Sequence, residues 1–198
     1  MLEDRAMYPA GQRPQPAKRY EEYAYVLDIQ MKGRARTVRG REGVIIQSLG
    51  EDYLTFLELL GVDGVLYTIG ERLYIGKESR DKVSSVLGRL SYEELTPTAR
   101  SVLPEVVEKI VEAKEQRFVE FFNNSQPITP RMHALELIPG IGKAMLRKIL
   151  EEREKAPFKS YKDIEQRVGL KDVQKQVAKR ILEELEGRTQ TYLFVKRP

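Results

Sequence analysis

The sequence predicts an α+β protein in which a small β-domain is followed by an all-α domain. Three observations support this prediction. Short apolar runs rich in β-branched residues recur at close spacing between residues 20 and 76. Beyond them, apolar residues recur with a helical period, and in the last third glycine and proline separate the helical segments. A chain of 198 residues is long enough for two small domains of this kind.

The β-domain is predicted to span residues 20–90, after a flexible tail at residues 1–19 that contains three prolines. Its strands are predicted at 23–30, 43–49 and 52–60, and as a pair at 65–70 and 72–76. Five short strands in so little sequence favour a small barrel similar to an OB-fold. The segment RDKVSSVLGRL (80–90) is predicted to close this domain as a short amphipathic helix.

Connecting helices are predicted over residues 91–124. The apolar stripe from 97 to 123 has a helical period, and we expect Pro104 to end or kink the segment before it. An OB-fold has its helix between the third and fourth strands, whereas here this helix follows all the strands. The barrel is therefore predicted to be OB-like only.

The helical domain is predicted to span residues 125–198 and to begin with a helical hairpin. Thr129 and Pro130 predict the start of a short helix, which Pro139 ends. The glycine-rich turn that follows leads into a second helix over residues 143–154. At the far end of the chain, TYLFVKRP (191–198) is predicted as a final strand.

The glycine-rich turn has the chemistry of a phosphate site. Glycines at 140 and 142 can adopt a positive φ and have no Cβ, so a ligand can approach the backbone closely. The first N–H groups of the next helix lack intrahelical partners and carry the positive end of the helix dipole. We predict that nucleic-acid phosphates contact Gly140, Ile141, Gly142, Lys143, Arg147 and Lys148. A turn that only packs two helices is the alternative.

Residues 135–170 resemble the tandem helix-hairpin-helix domain of DNA-uptake and DNA-repair proteins. The resemblance rests on LIPGIGK (137–143), on Phe158, Ser160 and Asp163, and on the second turn around Gly169. Lys171 stands where that family has a second glycine, so Gly169 and the Lys171 amide are weaker candidate phosphate contacts. The resemblance also implies a K⁺ or Na⁺ ion held by hairpin carbonyls. No other cofactor is expected.

A second basic element is predicted in the loop KGRARTVRGR (32–41), between the first two strands. It contains no acidic residue and five basic ones, Lys32, Arg34, Arg36, Arg39 and Arg41. Arginine suits bidentate phosphate contacts, and the first inter-strand loop of an OB-fold commonly binds oligonucleotides. A solvated cationic loop without a ligand is the alternative.

Residues 20–194 as a whole resemble an archaeal family of predicted RNA-binding proteins, the "domain of unknown function 655" group. The resemblance rests on GERLYIGKESRDKV (70–83), RFVEFFNNSQPITPRMHALELIPGIGK (117–143) and PFKSYKDIEQRV (157–168). It implies RNA as the ligand and an archaeal cytoplasm as the setting. The hairpin resemblance implies DNA instead, and the residues leave the choice between RNA and DNA open.

Several classes of enzyme lack support in the sequence. The absence of cysteine excludes thiol nucleophiles and cysteine-ligated zinc, and there is no Walker loop or dinucleotide fingerprint. Lys143 and Asp163 have roughly the spacing of the catalytic pair of helix-hairpin-helix glycosylases. A base-flipping pocket, however, needs a helical domain larger than about 70 residues. We therefore predict a binding protein and not an enzyme.

Charge distribution suggests two kinds of partner. The net charge is +4, but the excess of basic residues lies at the two ends of the chain, and residues 48–124 are acidic. Basic ends favour a nucleic acid, while the acidic middle could bind a protein, which leaves an adaptor role as the second hypothesis. No apolar run is long enough for a membrane span, so we expect a cytoplasmic protein without membrane contact.

Overall fold

The computed structural model describes residues 20–30 and 43–196. Its first half is a curled, five-stranded antiparallel half-barrel with the strand order β4-β1-β2-β3-β5. The strands are β1 Tyr23–Gln30, β2 Gly43–Gly50, β3 Phe56–Val62, β4 Arg72–Tyr74 and β5 Val83–Arg89. The predicted tail and the basic loop at 32–41 lie outside the described residues.

One predicted helix and one predicted strand were wrong. Within the helix predicted over residues 80–90, Val83–Arg89 instead forms β5, because it pairs with β3 through a ladder that local sequence does not reveal. Residues 65–70 are not a strand. Instead, the Tyr67 hydroxyl donates to the carbonyls of Val62 and Lys82 at 2.9 and 2.7 Å, which fixes this segment as a loop against the sheet.

Apolar side chains cover both faces of the sheet. One face packs inside the half-barrel around Val26, Ile46 and Leu59. The other face packs on the helices, through residues such as Leu27 and Leu49. The strand register shifts between Val26 and Asp28, as at a β-bulge.

Within the described residues, five α-helices follow the sheet. They are α1 Pro97–Ala113, α2 Glu115–Asn124, α3 Lys143–Lys155, α4 Tyr161–Val168 and α5 Val173–Leu185. Thr96 caps α1 by accepting the Ala99 amide at 3.1 Å, while its own hydroxyl donates to Asp28 of the sheet at 2.7 Å. The cap of α1 is therefore also its attachment to β1.

The long connecting segment is helical, as predicted, but its break lies elsewhere. Pro104 lies inside α1, which continues through it, so the helix does not end there. The helix is interrupted at Lys114, whose φ and ψ are −108° and 31°. The Lys114 ammonium lies 2.9 Å from both Glu51 and Asp52, at the edge of the sheet. Contact with the sheet therefore accompanies the division into α1 and α2.

A continuous apolar core joins the two halves. It runs from Leu27 and Leu49 through α1 and α2 to buried residues in and after the turn before α3, including Ile141, Ile149 and Ile181. Helix α1 contacts both β1 and α5, so it serves both halves at once.

The C-terminal residues do not form the predicted strand. Within the described chain they run as an irregular segment along α5, held by the buried carboxylate of Glu184. That carboxylate accepts the amides of Leu193, Phe194 and Val195 at 2.8–2.9 Å. Phe194 packs edge-on against Phe118 and Phe121 of α2.

Candidate functional site

The segment before the first turn is a small β-hairpin and a single 3₁₀ turn, not the predicted helix. The β-hairpin pairs β6, Pro127–Thr129, with β7, Met132–His133, and the 3₁₀ turn spans Ala134–Leu137. His133 caps this turn, because its Nδ1 accepts the Leu135 amide at 3.1 Å. In return the Glu136 carboxylate accepts the His133 amide at 2.7 Å. Prolines at 127 and 130 also favour extended backbone at the residues before them.

His133 is buried in this position, in agreement with the packing role that a lone histidine suggests. Burial lowers its pKa below the usual value, and the nearby Arg153 guanidinium lowers it further. The ring is therefore neutral near pH 7, as its accepting Nδ1 requires.

The two glycines of the first turn have different roles. Gly140 has φ of +82°, which only glycine adopts readily. Gly142 is extended and is the N-cap of α3, so it does not use the positive φ that glycine can adopt. A Cβ on Gly142 would meet nothing within 4 Å, which shows that this side of the turn is open.

The start of α3 offers unpaired amides at the protein surface. The Ile141 amide donates to the Ile138 carbonyl at 3.2 Å. The prediction that this amide is free is therefore wrong. The Ile141 side chain is buried in the core. Within the described chain the amides of Gly142, Lys143 and Ala144 make no hydrogen bond, and all three residues are exposed.

Lys143 is exposed but already has partners. Its Nζ lies 2.7 Å from Glu136 and donates to the Arg131 carbonyl at 2.9 Å. The pKa of Glu136 is lowered, first by the His133 amide and then by the Lys143 ammonium. Lys143 therefore links α3 to the β-hairpin, and one N–H of its ammonium stays available.

Arg147 and Lys148 are exposed, and in the described part of the chain neither has a carboxylate within 4 Å. Other arginines of this region are structural. Arg153 donates to the carbonyls of Phe122 and Ser125 at the end of α2. Arg167 donates to the carbonyls of Glu152 and Ala156. Charge at this surface is thus divided between cations that hold the fold and cations that face solvent.

The second turn joins α4 to α5. Ser160 caps α4 by accepting the Asp163 amide at 3.0 Å. Gly169 ends the helix with φ of +78°. Asp163 also accepts the Lys159 amide at 2.9 Å, so this aspartate serves the cap.

The two turns touch each other reciprocally. A Cβ built on Gly140 would lie 3.4 Å from the Leu170 side chain and 3.8 Å from that of Gln176. A Cβ on Gly169 would lie 3.8 Å from the Lys148 Nζ. Each turn therefore lies beside a side chain of the helix that follows the other turn.

The two turns differ in length. The two αL glycines, Gly140 and Gly169, are 29 residues apart. Helices α3 and α5, however, begin 30 residues apart, at Lys143 and Val173. The second turn is thus one residue longer between its αL glycine and its helix. Counted from the αL glycines, Lys171 stands where the first turn has Gly142.

The surface of α5 adds two residues that the sequence analysis missed. Lys175 and Lys179 are exposed and share one face of α5 at i and i+4, and exposed Lys171 lies two residues before the helix. None of them has a carboxylate within 4 Å in the described residues. The spacing alone was the signal that could have identified Lys175 and Lys179.

The predicted basic loop lies outside the described residues, and with it Lys32, Arg34, Arg36, Arg39 and Arg41. The tyrosines of the sheet are not open stacking platforms. Tyr25 is buried, while the Tyr23 ring lies 3.4 Å from the Arg72 guanidinium and edge-on to Tyr74. The aromatic contribution of the sheet is therefore packing.

A monovalent ion at the first turn, which the hairpin resemblance implies, would have to use backbone carbonyls. Of these, the Ile138 carbonyl already accepts the Ile141 amide. Among residues 20–30 and 43–196, no three His, Asp or Glu side chains are grouped so as to hold a metal. Over the same residues, no helix is both long and apolar enough to cross a membrane.

Comparisons with known proteins cover the sheet and the hairpins together. Residues 20–196 match the family described as "Protein of unknown function (DUF655)". An uncharacterised protein of Methanocaldococcus jannaschii is 43% identical over 196 residues, which is 98% of this chain and 87% of that protein. A crystal structure of a DUF655 protein from Archaeoglobus fulgidus is similar at 42% identity and a TM-score of 0.76, over 89% of this chain and all of the other.

Proposed function

Starting from the fact that this chain belongs to the DUF655 family, a family whose description names no activity, we propose that it binds nucleic acid through phosphate contacts. The contacts are made by two turns, one between the 3₁₀ turn Ala134–Leu137 and α3 and the other between α4 and α5. We interpret the pair as a tandem helix-hairpin-helix. The protein acts as a binding protein without strong sequence preference, because phosphates carry no base information.

One observation carries this proposal. Beside the two touching turns, exposed cations lie on α3, just before α5 and on α5, and all of them except Lys143 lack carboxylate partners in the described chain. Unpaired surface cations beside unpaired helix-start amides are the chemistry that a phosphate backbone recognises. The residues concerned are Arg147, Lys148, Lys171, Lys175 and Lys179.

The first turn supplies the closer contact. The amides of Gly142 and Lys143 point from the start of a 13-residue helix, and the open side of Gly142 admits a phosphate oxygen. Lys143 can donate its remaining N–H while it stays bonded to Glu136. Arg147 and Lys148, one turn further along α3, reach the neighbouring phosphates.

RNA is the favoured ligand and DNA the alternative. The whole-chain resemblance implies RNA, and the half-barrel is compatible with an OB-like domain, a fold that often binds single strands. The basic loop between β1 and β2 would be the second contact of that domain. An archaeal cytoplasm is the setting that the same resemblance implies.

A protein-interaction adaptor is the second candidate, favoured by the surface of α1. Glu105, Glu108 and Glu112 form an exposed acidic face on that helix. If this face is the functional surface, the turns serve only as a scaffold.

Fluorescence anisotropy with single-stranded RNA, duplex RNA and duplex DNA, in a salt series, tests the proposal. Binding should weaken linearly in log salt, with a slope near 0.9 per phosphate on duplex DNA. Replacing Arg147 and Lys148 by Gln, or Lys171 and Lys175 by Gln, should each lower that slope by about 2. Lys109→Gln on the acidic face of α1 is the matched control and should leave the slope unchanged.

The phosphate-site proposal would be overturned if the protein binds none of the probes at low salt. It would also be overturned if the salt slope is unchanged both in the Arg147 and Lys148 variant and in the Lys171 and Lys175 variant. A partner that binds the protein with little dependence on salt, and that is lost when Glu108 and Glu112 become Gln, would establish the adaptor function instead.

A further inference from the structure

The small β-hairpin of β6 and β7 projects from the surface beside the first turn. Every residue from 126 to 131 is exposed. Ile128 is 43% exposed, which makes it one of few large apolar side chains at the surface of the described chain. The phosphate contacts proposed above do not use this feature.

The projection is held in place at both ends. The Lys143 Nζ donates to the Arg131 carbonyl at 2.9 Å, and the Ala134 amide donates to the Gln126 carbonyl at 3.2 Å. At the tip the Arg131 amide donates to the Thr129 hydroxyl at 3.3 Å, next to Pro130. Because proline fixes φ and these bonds close the loop, the tip keeps a set position relative to the start of α3.

The tip of the β6–β7 hairpin carries the side chains that suit a nucleic-acid groove, one cation and one apolar residue. The Arg131 side chain is exposed and has no carboxylate within 4 Å in the part of the chain that the structure describes. Ile128, in β6, supplies exposed apolar surface. A duplex offers phosphates at the edges of a groove, and sugars and base edges within it, where proteins insert both cations and apolar side chains.

We infer that the β6–β7 hairpin enters the minor groove of a double-stranded nucleic acid whose backbone the first turn holds. Ile128 packs against sugars and base edges, and Arg131 binds at the groove edge. The minor groove of A-form RNA is wide and shallow enough to admit such a tip. This inference rests on the proposed function and narrows its ligand to a duplex.

Ile128→Ser tests this inference in the intact protein, with a short RNA duplex, a DNA duplex and single-stranded RNA as probes. Duplex binding should weaken roughly fivefold, as expected for loss of the burial of about half an isoleucine side chain. The salt slope should stay unchanged because no phosphate contact is lost. Binding to single-stranded RNA should not change. Ile69→Ser is the matched control, since Ile69 is 41% exposed in the loop between β3 and β4.

A second measurement locates the tip directly. Since the chain has no cysteine, Ile128→Cys gives one attachment point for an iron chelate that generates hydroxyl radicals. The chelate at residue 128 should cleave both strands of a bound duplex, and the chelate at Ile69→Cys should not.

Two outcomes would overturn the inference alone: duplex binding by Ile128→Ser that equals wild type, or an equal loss on single-stranded RNA. Absence of cleavage from residue 128 on a duplex that demonstrably binds would do the same. A wild-type protein that binds none of the three probes would instead overturn the proposed function itself.

Discussion

The two glycines of the first turn have different roles, one in packing and the other at the open surface proposed for the ligand. Gly140 needs a positive φ and has the Leu170 side chain 3.4 Å from the position of a Cβ. At Gly142 the backbone conformation does not require glycine, since its φ is −87°. A Cβ there would also meet no atom within 4 Å. The first glycine therefore belongs to packing between the turns, and the second to the open surface.

We expect Gly140→Ala to destabilise the protein by about 1–2 kcal/mol, the cost of a left-handed conformation at a residue with a Cβ. Gly142→Ala should cost less stability, since alanine is only a poorer N-cap there. It should weaken nucleic-acid binding, because the methyl group occupies the open side. Urea unfolding and anisotropy on the two variants measure both effects. Equal stability of the two variants would contradict this division.

At the scale of elements, the C-terminal segment depends on one buried ion pair of α5. Glu184 accepts from Arg180 at 3.0 Å and from three amides of the segment, while Arg180 donates to the Thr189 hydroxyl at 3.1 Å. Both side chains are almost completely buried. The pair therefore fixes α5 and the segment together, and its loss leaves one charge without its partner.

Glu184→Gln should destabilise the protein by about 3 kcal/mol, because it removes the closer, buried counter-charge of the Arg180 guanidinium. Glu183→Gln is the control, since Glu183 is partly exposed and lies 3.6 Å from the same arginine. Chemical denaturation compares the two. Similar losses in both variants would show that the buried pair has no special weight.

The elements that were predictable from sequence are those with local signals. Proline and glycine around residues 139–142, the cap at Ser160 and the αL glycine at 169 mark the boundaries of α3 and α4 without any knowledge of tertiary structure. By contrast, the apolar residues of β5 fit a helical period as well as a strand, and only pairing with β3 decides between them. The imidazole cap at His133 and the one-residue difference between the turns likewise needed three-dimensional contacts.

At the scale of the whole molecule, the sheet and the hairpins share α1. One face of α1 contacts β1 and another contacts α5, and the core that contains Leu103, Val107 and Ile110 continues into both halves. Neither half can lose α1 without exposing a large part of its own apolar surface to water.

Thermal unfolding should therefore be one cooperative transition. Far-ultraviolet circular dichroism and hydrogen exchange at amides of β2 and of α5 should report the same midpoint and the same free energy of opening. Leu103→Ala should lower the free energy of opening at β2 and at α5 by the same amount, in the range of about 2–5 kcal/mol for a buried leucine. Separate transitions, or protection lost in one half only, would contradict a shared core.

The one-residue difference between the two turns gives the surface a direction. The first turn passes from its αL glycine to α3 through Ile141 and Gly142, whereas the second reaches α5 through Leu170, Lys171 and Asp172. A ligand that lies across both turns meets an open, amide-rich end on one side and a side-chain end on the other. Two equal ends would accept a chain in either sense. Unequal ends make the 5′ and 3′ senses of a strand inequivalent, so the protein would be oriented along its ligand even where it ignores the bases.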